Sequence, residues 1–553
     1  MRNCKYGEKF GFIMEKLLLP LALEYHLRSR ANEVIAAATS QLPELNSGVA
    51  KDGKPNKFKG KYYFNSLGSL QIMEAVNSTA ASQSISAEQS PEGHWSKNFA
   101  ALSVHRRKDW AVTVKGFNNF VWDYETSATE NVYGLFASHG ALLVANSETL
   151  LEVHDVEHGW DWAKVPGATT IAMGSSNIDD LNIGSGGRFY NKRKLAGSLT
   201  FEGTKSLKNG LFGMNFLQPE YGLASSDWRQ NIDFRFKKSV FFFENLLVCL
   251  GSDIRAQHTS GRVAQTTLFQ DRLKSGVASS YIEVDGVQKN ALSNYNHSTA
   301  PPSVLNYVTL TDAKRNFYYV PSPNNSALNV TVQNQNSKSD DGTTSTFGHY
   351  GTAWLEHSTS NQSYEYAVLI PTTSYHTPLA DLVTAQGTAG SEVYKVLQKN
   401  ATAHVVQFLK SPKLWSALSA PITGYVIFRS TSSLPANGPV EAVTRGDCLI
   451  MAEETTQFIH LGISSPDLKF FPTSPTPLEN SNDVDEKMLF TSTSRTRSVK
   501  VTLRKAVTQS IVTQVHGTPD NYTPTVVISS NGKEIRFTNL KNGFSVEVKL
   551  TRI

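Results

Sequence analysis

The 553-residue sequence predicts a mainly β protein with an α-helical segment at its N-terminus. Three observations carry this. Up to about residue 85 the apolar residues fall at helical spacing, and from about residue 98 they alternate with polar ones. Gly, Asn, Asp and Pro then punctuate the alternating runs to the end of the chain, as turns between short strands require.

Leu17, Leu18, Leu21, Ala22 and Leu23 lead into SRANEVIAAATSQL, and SLGSLQIMEAVNSTAAS repeats the spacing of a packed helix. Between them SGVAKDGKPNKFKGKYY is a polar loop. The apolar run FGFIMEKLLLPLALEYHL is interrupted by Glu15, Lys16 and Pro20 and lacks a small-residue cleavage site, so it predicts a buried amphipathic helix and no visible signal peptide. No stretch reaches the roughly 18 apolar residues of a membrane-spanning helix. In ALSVHRRKDWAVTVKGF the residues Trp110, Val112 and Val114 oppose Ala111, Thr113 and Lys115, which is strand periodicity. Similar runs follow, among them SVFFFENLLVCLGSDI, TAWLEH, YEYAVLIP, GYVIFRS, SVKVTLR and FSVEVKL. Many short strands without a fixed repeat predict large stacked antiparallel sheets and argue against a propeller or solenoid.

A net charge of +5 over this length is too mild for a nucleic-acid binder and compatible with a polyanionic polysaccharide. Local basic clusters stand at Arg106-Arg107-Lys108, at Arg188 with Lys192-Arg193-Lys194, and at Lys237-Lys238. Cys4, Cys249 and Cys448 lie far apart, in neither a disulfide framework nor a metal-ligand spacing. Seven Asn-x-Ser/Thr sequons, starting at Asn77, Asn296, Asn324, Asn329, Asn361, Asn400 and Asn521, suit a secreted glycoprotein of a eukaryotic source.

Phosphate-loop, zinc-protease, nucleophile-elbow and EF-hand motifs are absent, and neither metal nor cofactor is expected. His154 and His158 stand four apart, a spacing that aligns ligands only on a helix. The stretch EHGWDWAKVPGATT places Trp160 and Trp162 two positions apart before a Pro-Gly turn. Two readings are open: both indoles fill a core from one face of a strand, or they form a platform for a flat ligand such as a sugar ring.

Six blocks between residues 104 and 371, in this order, carry a resemblance: VHRRKDWAVTVKGFNNFVWDYE, ENVYGLFASHGALLV, GWDWAKVPGATTI, FKKSVFFFENLLVCLGSDI, QTTLFQ and GTAWLEHSTSNQSYEYAVLIP. They resemble the sheet half of the polysaccharide lyases that include chondroitin ABC, chondroitin AC and hyaluronate lyases, the chondroitin ABC type above all. A weaker likeness extends back to KGKYYFNSLGSLQIMEAV and forward through the last β-region. The resemblance implies a remnant of an α/α toroid over residues 1–90, a large antiparallel β-sandwich over 91–385 and a smaller C-terminal β-domain over 386–553. It also implies β-elimination across uronate linkages of an anionic glycosaminoglycan (chondroitin or dermatan sulfate, or hyaluronan), outside the cell, with the oligomeric state left open.

In that family a His and a Tyr from the helical domain serve the base, followed by an Arg, and a Glu of the sheet domain braces the site. Here Lys61 stands at the Arg position and Gln265 at the Glu position, and the chain starts after the place of the His-Tyr segment. The expectation is a lyase-family chain with most of the helical catalytic domain missing, whether a truncated gene product, a fragment completed by another chain, or a non-catalytic polysaccharide-binding protein derived from a lyase. Its own elimination would then be inefficient. His139 in SHG, His105 and Arg106 in VHRR, and Trp160 and Trp162 are the substrate-binding candidates, each weighed against a packing role; Tyr133, Trp95 and Asn98 are further ones.

Overall fold

The computed structural model describes residues 78–84 and 91–553 apart from 128, 147–154, 174, 183–185, 188, 205–207, 220, 222–226, 230–231, 258–261, 300–305, 322–325, 358–360, 372–377, 412–416, 469, 473–489 and 517–521. The chain divides into two compact units, residues 1–91 and 92–553. In the first, residues 78–82 are helical; the helices expected further upstream, and Lys61, lie outside the described residues.

The second unit is built almost wholly of antiparallel strands. A nine-stranded sheet runs, in spatial order, through Val287–Asn290, Tyr281–Val284, Tyr307–Thr311, Phe317–Pro321, Gln362–Leu369, Leu246–Gln257, Asp233–Phe243, Asn209–Leu217 and Ala196–Phe201. A five-stranded sheet has the order Tyr295–Thr299, Ala327–Lys338, Ser345–His357, Ala264–Arg272 and Thr169–Ile171. A four-stranded sheet is formed by Gly93–Lys97, Leu102–Arg107, Trp110–Lys115 and Ala141–Ala145. Beyond the short helix Pro378–Gln386 come a seven-stranded and a second four-stranded sheet, to which strands such as Cys448–Glu454 and Arg497–Leu503 belong; two two-stranded sheets are added to these.

Alternation of side chains along strand Asp233–Phe243 explains the stacking. Val240 and Phe242 enter one apolar cluster with Leu268, Val330 and Leu355 of the five-stranded sheet. Phe241 and Phe243 enter another with Phe408, Ile422 and Met451 of the seven-stranded sheet. The central sheet is therefore covered on both faces, which is why SVFFF reads as an unbroken apolar run rather than an alternating one. A third cluster, including Ile450, Leu461, Val501 and Ile535, joins the seven-stranded sheet to the four strands behind it. The division expected at 385/386 thus falls inside one compact unit, because the C-terminal strands share a core with the central sheet.

Candidate functional site

Residues 159–164 cross the face of the five-stranded sheet opposite Leu268, Val330 and Leu355, and 165–168 lead into its edge strand Thr169–Ile171. A loop in this position needs a partner for each buried backbone group, and the strands beneath supply them from long polar side chains. Gln270 accepts from Asp161 N (2.8 Å) and donates to the carbonyls of Asp161 (3.2 Å) and Lys164 (3.0 Å). Gln335 donates to the Gly159 carbonyl (3.1 Å) and to Gln270 Oε1 (2.9 Å). Trp162 Nε1 donates to the Lys338 carbonyl at 3.0 Å, and Ser337 Oγ donates to the Trp160 carbonyl. Lys238, rising from the central sheet, donates to the Gly167 carbonyl. Gly159 has φ +80°, and a Cβ there would stand 2.4 Å from Gly348 N, so only glycine lets the loop lie this close.

The tryptophans are thereby settled as packing residues. Trp160 is 2% exposed, edge-on to Tyr350 at 6.4 Å, and Trp162 is 8% exposed, 6.0 Å from the ring of Tyr133. This corrects the platform reading, since neither indole offers a face to a ligand. Tyr133 is buried too, its hydroxyl donating to Asp179 at 2.9 Å.

His139 is corrected in the same way. It is fully buried, ringed by Phe117, Phe136, Phe216 and Phe234, and neither of its nitrogens has a hydrogen-bond partner. Burial pushes it down to about 3, so it is a neutral core residue. His105 is fully buried as well, with Nε2 donating to the Glu244 carbonyl at 2.8 Å and Nδ1 3.3 Å from Nδ1 of His94. Burial, helped by the Arg107 charge, holds it well below the ordinary imidazole range. Arg106, next along the strand, points the other way and is half-buried on the four-stranded sheet. Asn98 is buried against Ser198 and Gly543. His158 bonds Asp155 (2.9 Å), and His154 lies outside the described residues.

Gln265 does belong to the loop. It is the second residue of strand Ala264–Arg272, between Thr170 and Glu356, and is 2% exposed. Its Nε2 donates to the Ala163 carbonyl at 3.0 Å, which also accepts from Thr170 Oγ1 at 2.7 Å. Gln265 therefore holds the loop, and the structure joins it through the loop to Trp160 and Trp162 but not to His105 or Arg106. A carboxylate here would set oxygen against oxygen in a dry setting. Gln265→Glu is expected to cost about 1–3 kcal/mol and to lower the thermal midpoint without raising elimination; an unchanged midpoint would refute the bracing role.

Three half-buried groups that the sequence did not single out, Lys164, Arg262 and Trp354, stand in or near this loop. Lys164, paired with Asp161 Oδ2 at 2.6 Å, holds Nζ 4.8 Å from the centre of the half-buried Trp354 ring. Arg262, just ahead of Gln265, lies 5.0 Å over Trp228 and pairs with Asp180 at 2.7 Å. Trp354 stands within TAWLEH, where alternation alone would have put it on the outer face opposite Leu355; Arg262 and Trp228 carry no comparable signal.

The stacked antiparallel sheets make this a β-sandwich protein. Residues 92–379 match the family model described as polysaccharide lyase family 8, super-sandwich domain, and the chain belongs to that family. It is 27% identical over 399 residues to the chondroitin sulfate ABC exolyase of Bacteroides thetaiotaomicron, covering 70% of this chain and 34% of that protein. Against the chondroitin sulfate ABC endolyase of Proteus vulgaris it is 28% identical over 345 residues, covering 62% and 30%. The chain thus spans about a third of the length of these curated relatives. Among solved structures, the chondroitin AC lyase of Streptomyces coelicolor in complex with chondroitin sulphate has a TM-score of 0.63 at 15% identity, covering 98% of this chain and 59% of that one. A Paenibacillus xanthan lyase has a TM-score of 0.64 at 16% identity, covering 97% and 43%. At such identities these likenesses speak for the fold.

Proposed function

We propose that the chain acts on a glycosaminoglycan of the chondroitin type, breaking uronate linkages by β-elimination, with the outer face of the five-stranded sheet as one wall of the polymer site. The observation that carries this is Lys164 poised over the half-buried Trp354 ring, beside the loop that Gln265 braces. A uronate chain brings carboxylate and sulfate groups for the amine and apolar sugar faces for the indole. The names of the relatives, chondroitin sulfate ABC exolyase and endolyase, support the same substrate class.

In the elimination the C5–H and C4–O bonds break, a C4=C5 double bond forms, the proton passes to a base, and the departing oxygen takes up a proton. The part assigned to the sheet is to bind and position the polymer, with Lys164 holding an anionic group of the chain in the ground state and the transition state alike. An extracellular setting goes with this reading, supported by a polymeric substrate and seven sequons; recovery of the protein only from cytoplasmic fractions would overturn it.

Incubation of the purified chain with chondroitin sulfate should raise the ultraviolet absorbance of unsaturated uronate. Lys164→Met should raise KM about tenfold, the equivalent of ~1.4 kcal/mol of lost binding, with little change in kcat. A flat absorbance trace from a chain that still binds chondroitin sulfate overturns the lyase reading.

A further inference from the structure

Lys237 and Lys238 are adjacent on one strand and so point to opposite faces of the central sheet. Lys238 reaches the Gly167 carbonyl on the loop side. Lys237 reaches the other side, where its Nζ lies 5.9 Å from the Phe428 ring of the C-terminal region. There a cavity of about 510 Å³ opens between the two sheets, away from the loop.

Six cationic side chains line it, Lys192, Arg193, Lys194, Arg235, Lys237 and Arg429, against two carboxylates, Asp253 and Asp447, an excess of four positive charges. The cluster is built rather than incidental. Breaks in register fall between Arg235 and Lys237 on one strand and between Gly251 and Ile254 on its neighbour, and such bulges re-aim side chains. They bring Lys237 onto Asp253 Oδ2 and Arg235 Nε to 3.5 Å from Asp253 Oδ1, with the Lys237 side chain only 6% exposed. The basic turn 192–194 is fixed by the fully buried Asn191, whose Oδ1 accepts from Arg193 N and Leu217 N, both at 3.0 Å. Lys194 also lies 4.0 Å from Asp467, which Arg497 already holds.

We propose that this cavity binds a sulfated oligosaccharide segment, as a second polysaccharide site on the face of the central sheet opposite the 159–170 loop. Its volume lies within the roughly 300–1,000 Å³ of ligand sites, and its charged walls suit a hydrophilic, multiply anionic ligand rather than an apolar one. Arginine forks at Arg193, Arg235 and Arg429 match the paired oxygens of a sulfate ester. That the anion is carried on a sugar rests on the glycosaminoglycan reading above.

The test uses the full chain and a sulfated glucan hexasaccharide, which has no uronate and so is not consumed. Calorimetric titration at low salt is compared between the wild type and Arg193→Ala/Lys194→Ala/Arg429→Ala, three exposed positions outside the loop site. At least about a tenfold loss of affinity is expected in the variant, with its production of unsaturated uronate from chondroitin sulfate unchanged. Equal affinity of the two chains overturns the proposal. So does equally tight binding of inorganic sulfate, which would make this a small-anion site, or of the unsulfated hexasaccharide. A wild type that yields no unsaturated uronate yet shows the variant-sensitive binding would sink the lyase reading and leave the cavity standing.

Discussion

Replacing Lys314 with Met is expected to cost about 3–5 kcal/mol of folding stability, the range for breaking a buried ion pair from one side. Lys314 Nζ bonds Asp271 and lies 3.4 Å from Asp312 Oδ2, with side-chain exposures of 9%, 1% and 0% for the three residues. Asp271 belongs to the same strand as Gln265, and Asp312 follows strand Tyr307–Thr311 of the central sheet, so the amine ties the two sheets together. Burial opposes its charge, but Asp271 and Asp312 outweigh that and hold it above the usual lysine range. Asp271, driven up to about 6 by burial even with the lysine beside it, would rise further in the Met variant. The variant should then be weakest relative to wild type above about pH 6, where folding would strand a carboxylate, and should recover partly at pH 5. Adding Asp271→Asn should restore more than half of the loss. Urea unfolding at pH 5 and pH 8 reads both effects, and equal midpoints for the Met variant and the wild type would show that the lysine carries no such load.

That cluster was not legible in the sequence, whereas the sheets it joins were. Strand periodicity is local, so alternation in ALSVHRRKDW and the turn residues between runs were enough to predict stacked antiparallel sheets. Which face of a strand looks inward is not local. Trp160 and Trp162 share a spacing that fits an outward platform as well as an inward pair, and the choice was made by Tyr350, Ser337 and Lys338, nearly two hundred residues later. His139 was a cleft candidate because SHG resembles a cleft-side turn of the family; the phenylalanines that enclose it come from four separate stretches of the chain. Gln265 was found through the block it opens, but its hydrogen bond to Ala163 depends on how the loop folds back. Trp354 shows the converse, a residue whose outward face was readable and whose partner, Lys164, was not.

Asp123→Asn is expected to remove a pH dependence of stability that wild type shows between about pH 6.5 and pH 8. Asp123 is 4% exposed; its Oδ1 accepts from Tyr124 N (2.7 Å) and Phe189 N (2.9 Å), while its Oδ2 is buried with no partner. Burial drives the carboxyl up to about 8 against those hydrogen bonds and the Lys115 charge. A folded value above the unfolded 3.8 means that the native state holds a proton the unfolded chain has lost, so stability falls as pH rises between the two values. Buried His94, His139 and His357, each near 3, act oppositely, favouring the fold as pH rises, but their effect is complete by about 6.5. Lys115 and Lys238, lowered by burial to about 8, favour the fold only as pH climbs beyond that. The contribution of Asp123 itself to the slope is about 1.4 kcal/mol per pH unit, or ~2 kcal/mol across the interval, and comparison with the Asn variant isolates it. The Asn variant keeps the Oδ1 contacts and has no proton to lose, so its stability relative to wild type should rise by that amount from pH 6.5 to pH 8. Urea midpoints of the two proteins at the two pH values decide it, since curves that move in parallel would mean that the native carboxyl is already ionised and that Lys115 neutralises it in place.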